Sequence, residues 1–95
     1  MKAYVIAQIE VTNEDNYKEY LEKVTTIVNK YNGKYIVRAG KFKSLLGKWK
    51  YKRNIVIEFP NFELAEKWYY SDDYLPIKRI REKNSKGNLI IIEGT

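Results

Sequence analysis

Apolar and polar residues alternate in three segments of the chain, a spacing that gives a β-strand one apolar side. In residues 3–11 every odd position is apolar, whereas the even positions include Gln8 and Glu10. Residues 34–40 and 53–59 repeat the alternation, and residues 88–94 are rich in isoleucine. The pattern predicts four strands, with Arg38 opposite the apolar side of the second strand and a bulge or bend allowed by Gly40.

Two segments between these strands instead have apolar residues at spacings of three and four, as amphipathic helices do. The first follows the capping pattern Thr12-Asn13-Glu14-Asp15 and stops at Asn32-Gly33, where Gly33 is free to adopt the left-handed conformation. The second begins after Asn61, a residue type that caps helices. We expect Tyr17 and Tyr20 to pack on the apolar side of the first helix with their hydroxyls reaching solvent. That side consists of Tyr17, Tyr20, Leu21, Val24, Ile27, Val28 and Tyr31.

The order strand–helix–strand–strand–helix–strand is the ferredoxin-like βαββαβ arrangement of an α+β domain. A short helical segment near Pro76, with Ile77 and Ile80 facing inward, precedes the last strand. This order predicts a four-stranded antiparallel sheet with its helices on one face. The other face would hold β-branched residues beside charges, among them Arg38 and Glu58. Such a face is too apolar to be fully exposed to water and too charged to form a dry core. We therefore expect a second copy of the chain to cover it, sheet against sheet.

Length and composition restrict the chemistry. The 95 residues fit one domain, 1–95, with a thin hydrophobic core. The chain has no cysteine and no histidine, which excludes disulfides, thiolate catalysis, histidine-ligated haem and zinc sites of the Cys/His kind. We find no Asp-rich metal loop, membrane-spanning run or signal peptide, and therefore expect a cytoplasmic protein without metal or cofactor.

The formal net charge of +6 is local, because residues 41–53 contain six lysines and arginines and no acid. Phosphate neutralisation, with bases stacking on Phe42, Trp49 and Tyr51, would make this segment a contact for nucleic acid or an acidic partner. A charged sheet edge that discourages aggregation explains the same residues without a partner, and we favour it.

Short motifs spread over the chain point to a known family. They are Ala3-Tyr4-Val5-Ile6-Ala7, Tyr17, Tyr20, Gly33-Lys34-Tyr35, Arg38-Ala39-Gly40, Gly47-Lys48-Trp49, Ile57-Glu58-Phe59-Pro60, Ala65, Trp68-Tyr69, Ser71, Tyr74, Arg81, Ser85 and Glu93-Gly94. In these the chain resembles the domain-of-unknown-function family 1330 (DUF1330), within the dimeric alpha/beta-barrel superfamily. The resemblance implies a homodimer whose two sheets enclose a barrel-like interior. It implies no particular reaction, although the superfamily includes cofactor-free oxygenases and isomerases of small aromatic or lactone compounds.

Arg38 and Glu58 are the candidate catalytic residues, because we expect both on the uncovered sheet face. A guanidinium group there would bind a carboxylate, enolate or phosphate group of a ligand. A partly buried Glu58 would act as an acid or base. An ion pair of Arg38 with Glu58 or with Glu10 explains these charges without a ligand and is the simpler alternative.

Four aromatic residues are candidates for ligand binding. Trp68 and Tyr69 lie on the buried side of the second helix, so core packing explains them as well. Trp49 lies in a loop, where it would close a pocket or anchor a partner subunit. The Tyr74 hydroxyl would orient a ligand, although helix packing also accounts for it. The sequence thus favours a homodimer that binds or transforms a small anionic or aromatic metabolite, with nucleic-acid or acidic-partner interaction through residues 41–53 as the alternative.

Overall fold

Four strands and three helices follow one another in a computed structural model that describes residues 1–95. They are β1 (Ala3–Val11), α1 (Glu14–Lys30), β2 (Lys34–Arg38), β3 (Arg53–Phe59), α2 (Phe62–Tyr69), α3 (Leu75–Asn84) and β4 (Ser85–Glu93). The strands form one antiparallel sheet in the order β2-β3-β1-β4. This confirms the ferredoxin-like arrangement predicted from the pattern. None of the helices is long and apolar enough to cross a membrane.

The ends of α1 lie where the sequence signals predict, with one difference. The Asn13 side chain accepts a hydrogen bond of 3.1 Å from a backbone N–H of the first turn and caps the helix. At the other end the left-handed residue is Asn32, with φ 64°, and the prediction that Gly33 would adopt this conformation is wrong. Gly33 is needed for close packing instead, because a Cβ atom there would lie 2.6 Å from the Phe59 ring.

The hydrophobic core lies between the sheet and the helices. The odd positions of β1 face it, as their alternation predicts, and Asn61 caps α2 by accepting a 2.8 Å hydrogen bond from the Leu64 N–H. The 14 buried residues of the core cluster are Val5, Ala7, Ile9, Tyr17, Tyr20, Val24, Val28, Ile55, Ile57, Phe59, Ala65, Trp68, Tyr74 and Ile77. Helix and strand periodicity together therefore identify most of the buried surface.

A bulge in β2 reverses the direction of its side chains. The register changes between Tyr35 and Val37, where β2 has one residue more than β3. Since successive side chains of a strand point to opposite faces, everything after the bulge changes sides. Arg38 therefore lies opposite Ile55, a core residue. The prediction of Arg38 on the uncovered face is wrong. Of the bulge or bend predicted at Gly40, the bulge lies earlier, between Tyr35 and Val37, and a bend follows β2 at Ala39.

The sheet face that the helices leave uncovered is ordered in rows across the strands. One row is apolar and crosses the whole sheet: Val37, Val56, Ile6 and Ile90. The next consists of side-chain amides: Asn54, Gln8 and Asn88. Ile6, Val37 and Ile90 expose 37%, 40% and 52% of their surface. The mixed apolar and polar face predicted from the sequence is present, with Val37 opposite Val56, where a strand without the bulge would place Ile36.

A loop of residues 39–52 connects β2 to β3 without a regular element. Leu45 and Leu46 in this loop are 85% and 92% exposed. The indole N–H of Trp49 donates a 2.8 Å hydrogen bond to Asn54 Oδ1, which ties the end of the loop to the uncovered sheet face. The loop therefore extends the apolar surface of that face.

Candidate functional site

A small cavity lies between the sheet and the helix layer. Its volume is about 30 Å³, which is room for roughly two water-sized spheres. All four strands and all three helices contribute to its wall. Eleven of the 14 lining residues are hydrophobic, and the remaining three are Arg38, Arg53 and Arg81. This composition, apolar with a few polar groups, matches that of small-molecule sites, although such sites usually have a volume of at least about 300 Å³.

The three arginines give the cavity a positive charge that no acid neutralises. No carboxylate lines it, and every ion pair of the chain is made by a lysine. Arg38 donates a 2.8 Å hydrogen bond to Thr25 Oγ1 of α1, and its guanidinium lies 4.1 Å from the centroid of the Tyr35 ring. Charges in a poorly solvated site act more strongly than in water, so the cavity attracts anions.

Arg81 is the most enclosed of the three, at 9% exposure. It lies one helical turn after the buried Ile77 of α3, on the same side of the helix. Its Nη2 donates a 3.2 Å hydrogen bond to the Tyr69 hydroxyl, but the buried Nε has no acceptor. A buried charge with an unmet donor costs several kcal/mol. An acceptor supplied at this nitrogen would recover part of that free energy.

Trp68 contributes a second unmatched donor to the same wall. It is 1% exposed, and its indole Nε1 has no acceptor. Ring packing fixes its position, with centroid distances of 4.4 Å to Tyr74 and 5.6 Å to Phe59. Most buried polar atoms in proteins are hydrogen-bonded. Trp68 Nε1 and Arg81 Nε are both buried and are exceptions to this rule.

A pair of tyrosine hydroxyls lies next to the cavity, because Tyr20 lines it and Tyr74 contacts Tyr20. The Tyr20 and Tyr74 oxygens are 2.7 Å apart and buried, and burial raises the pKa of both hydroxyls above the usual value. Tyr17 is also buried, and burial raises its pKa, although the nearby charges of Arg53, Arg81 and Arg38 oppose this. The prediction that the α1 tyrosines reach solvent is therefore wrong for Tyr17 and Tyr20. These groups are neutral hydrogen-bond donors at ordinary pH.

Four of the residues selected from the sequence lie at this cavity or next to it. Arg38 and Trp68 line it directly. Tyr69 accepts the hydrogen bond from Arg81, and Tyr74 stacks on Trp68. The structure therefore brings together one candidate catalytic residue and three candidate binding residues.

Glu58 and Trp49 lie on the opposite, uncovered face of the sheet. Glu58 forms an ion pair of 3.3 Å with Lys2 and none with Arg38. The predicted alternative of an ion pair of Arg38 with Glu58 or Glu10 is wrong, because the bulge separates Arg38 from Glu58, and Glu10 pairs with Lys86 instead. Trp49 lines a shallow groove of about 380 Å³ beside the apolar row. No single pocket contains all six candidates.

Three residues of the cavity were missed by the sequence argument, although the sequence contains a signal for two of them. Arg53 lies two positions before the core residue Ile55, on the core side of β3. Arg81 lies four positions after Ile77, on the core side of α3. In both cases a charge occupies a position that periodicity assigns to the interior. Tyr20 gives no such signal, since an apolar stripe explains it.

Comparison with known proteins confirms the resemblance found in the sequence. Residues 2–95 match the model of a family described as Domain of unknown function (DUF1330). The chain belongs to this family. No curated protein sequence matches the DUF1330 chain.

Solved structures share its fold at low sequence identity. The RPA0582 protein of unknown function from Rhodopseudomonas palustris has a TM-score of 0.75 and 13% identity, over 99% of this chain and 82% of that one. A dimeric ferredoxin-like protein of unknown function from Jannaschia sp. CCS1 has a TM-score of 0.74 and 8% identity, over 99% and 100%. SnoaB, a cofactor-independent oxygenase from Streptomyces nogalater, has a TM-score of 0.64 and 8% identity, over 99% and 93%. These likenesses show the fold alone.

Proposed function

We propose that this DUF1330 protein is a homodimer in which each subunit binds a small anionic metabolite in the cavity between sheet and helices. The observation that carries the proposal is the set of three arginines, none paired with a carboxylate, around one cavity whose wall is otherwise hydrophobic. Guanidinium and indole nitrogens donate hydrogen bonds and accept none. The occupant must therefore be an acceptor, and the surrounding charge selects an anion.

The uncovered sheet face supports the dimer. Its apolar row and the exposed leucines of loop 39–52 form one continuous apolar surface of a kind that marks interaction sites. The description of the Jannaschia structure as dimeric agrees with pairing of such faces. In this arrangement the groove beside Trp49 lies between the subunits, and the arginine cavity stays on the far side of each sheet.

Binding, rather than proton abstraction, is the activity that the cavity supports. The cavity is lined by no carboxylate, and burial raises the pKa of its Tyr17 and Tyr20 hydroxyls, so neither of them is suited to act as a base. Glu58, the acid–base group expected from the sequence, lies on the other face. Cofactor-free oxygenase or isomerase chemistry would rest only on the fold shared with SnoaB, and we do not include it in the proposal.

Thermal unfolding with added anions tests the site. Formate, acetate, benzoate, phosphate and sulfate are compared at constant ionic strength set with sodium chloride. A ligand that binds only the folded protein raises the melting temperature in proportion to the logarithm of its concentration above Kd. Arg53→Gln should lose most of this rise, whereas Arg79→Gln, which removes an exposed arginine outside the cavity, should keep it.

One combined result would overturn the proposal in favour of the basic-segment alternative. In this result none of the five anions raises the melting temperature, and the protein binds to heparin with an affinity that falls steeply as the salt concentration increases.

A further inference from the structure

We infer that each subunit has a second ligand site, on the uncovered face of the sheet, which binds a small aromatic ring carrying one anionic group. The site is the groove of about 380 Å³ between loop 39–52 and the strands. The ring of the ligand contacts Phe42 and Trp49, and its anionic group contacts Lys41 and Lys43. The inference does not depend on the arginine cavity, which lies on the other side of the sheet.

The groove has the size and composition of a small-molecule site. Its volume of about 380 Å³ lies within the range of such sites, which begins at roughly 300 Å³. Nine of its 15 lining residues are hydrophobic. The strands contribute Ile6, Val37 and Val56 of the apolar row, and the loop contributes the two aromatic rings. A planar apolar ligand therefore meets apolar surface from both the strands and the loop.

Trp49 is fixed in position before any ligand binds. Its indole N–H donates 2.8 Å to Asn54 Oδ1, and Asn54 Nδ2 in turn donates 3.4 Å to the Lys52 carbonyl oxygen. The ring still exposes 40% of its surface, and Phe42 in the same groove exposes 42%. A ring stacked against these side chains buries apolar surface of both and gains an aromatic contact. The ligand is therefore expected to be aromatic.

The charge of the groove selects an anion. Lys41 and Lys43 are the charged residues of its wall, and neither forms an ion pair. The two acids of the uncovered face, Glu10 and Glu58, are already paired with other lysines. An anionic group on the ligand supplies the partner that the chain lacks.

A second copy of the chain does not supply that partner. In the proposed dimer the copy that covers the groove presents the same face, which adds two more lysines to the interface and no free acid. Like charges brought together oppose association. A small anion in each groove removes this repulsion, and the other subunit then closes the open side of the groove.

Gln8 adds a polar group to the wall of the groove. Its side chain is half-buried and makes no hydrogen bond within the chain. An amide both donates and accepts hydrogen bonds, so it can orient a carboxylate or a ring substituent. Apolar walls with a few polar groups of this kind give small-molecule sites their specificity.

The indole N–H resonances of the ¹⁵N-labelled protein test the inference. The chain has two tryptophans, and Trp49→Phe identifies the resonance of Trp49. Titration with benzoate at constant ionic strength should move this resonance saturably, because a ring stacked on the indole changes its surroundings. Benzamide lacks the charge and cyclohexanecarboxylate lacks the aromatic ring. Each should therefore bind at least about fivefold more weakly than benzoate.

Two pairs of lysines in the same loop separate the groove from the general charge. Lys41→Gln with Lys43→Gln removes both lysines of the groove and should weaken benzoate binding at least about tenfold. Lys48→Gln with Lys50→Gln removes the same charge outside the groove and should change binding less than about twofold. All four residues are exposed in a loop without regular structure, so these changes leave the core intact.

The outcomes distinguish this inference from the proposed function. If benzoate raises the melting temperature, Arg53→Gln abolishes the rise and Trp49 does not move, benzoate occupies the arginine cavity and this inference alone is wrong. Equal weakening by the two lysine pairs, or equal binding of benzamide and benzoate, would also overturn it. Tighter binding of a short oligothymidylate than of benzoate, lost equally in both pairs, would assign the loop to single-stranded nucleic acid instead.

Discussion

The hydroxyl oxygens of Tyr20 and Tyr74 lie 2.7 Å apart, although 54 positions separate the residues in the chain. The contact joins α1 to the segment that leads into α3. Because both groups are buried, each hydroxyl depends on the other for its hydrogen bond.

Removal of one hydroxyl of this pair is expected to destabilise the protein. Tyr74→Phe leaves the Tyr20 hydroxyl buried without its partner, which costs about 1–3 kcal/mol of unfolding free energy. Urea unfolding measures the change. The double variant Tyr20→Phe with Tyr74→Phe should lose less than the sum of the single changes, because no unmatched hydroxyl remains. Strict additivity would show that the two hydroxyls do not interact.

Alkaline pH should lower stability through the buried tyrosines. Burial raises the pKa of Tyr35 to about 12 and also raises the pKa of Tyr17, Tyr20 and Tyr74 above the usual 10.0. The folded state then holds these protons more tightly than the unfolded state, so stability is complete below pH 10 and falls as pH rises toward 12. Urea unfolding over this range measures the loss. Equal stability at pH 9 and about pH 11 would contradict the burial of these hydroxyls.

Gly87 should be intolerant of a side chain because β4 passes close to β1 at this position. A Cβ atom at residue 87 would overlap the backbone oxygen of Gln8. Gly87→Ala is therefore expected to cost about 1–3 kcal/mol of unfolding free energy. Gly40→Ala is the control, because a Cβ there meets nothing within 4 Å, and it should change stability by less than about 0.5 kcal/mol. Similar costs for both substitutions would argue against this strand pairing.

A charge in the apolar row should separate the subunits of the proposed dimer. Ile90 is 52% exposed on the uncovered sheet face, and Ile90→Lys would place an ammonium group in the interface. Sedimentation at micromolar concentration should show a dimer for the wild-type protein and a monomer for this variant. Leu75→Lys, at a residue 37% exposed on the helix layer, should stay dimeric. A wild-type monomer would rule out the dimer.

The fold could be predicted from the sequence because local signals agree with one another. Alternation in β1 and β3 and capping by Asn13 and Asn61 each fix an element without reference to the rest of the chain. The order of these elements then restricts the topology to few choices. Only the added helix α3 and the ends of β2 and β4 differ in extent from the prediction.

The bulge in β2 could not be predicted from the sequence for a physical reason. Tyr35, Ile36 and Val37 are three consecutive apolar residues, so alternation cannot show which of them faces the core. Because the prediction missed this one extra residue, it placed Arg38 on the wrong face of the sheet and grouped it with Glu58 in one site.

The composition of the cavity wall could not be predicted from local sequence patterns either. Periodicity shows that Trp68 and Tyr20 face inward, but it does not show which side chains meet across the core. The contact of Tyr20 with Tyr74 and the isolation of Arg81 Nε arise only when distant elements pack together. A charge at a predicted interior position was the one clue available beforehand.

The additional residue in β2 decides on which side of the sheet the Arg38 guanidinium lies. The same residues paired without the bulge would put Arg38 opposite Asn54 on the uncovered face, instead of opposite Ile55. The cavity would then lose a cation, and the face proposed to pair in the dimer would gain one that must be desolvated. Deletion of Ile36 would remove the bulge and still leave Arg38 on its present side, because Val37 would keep its pairing with Val56.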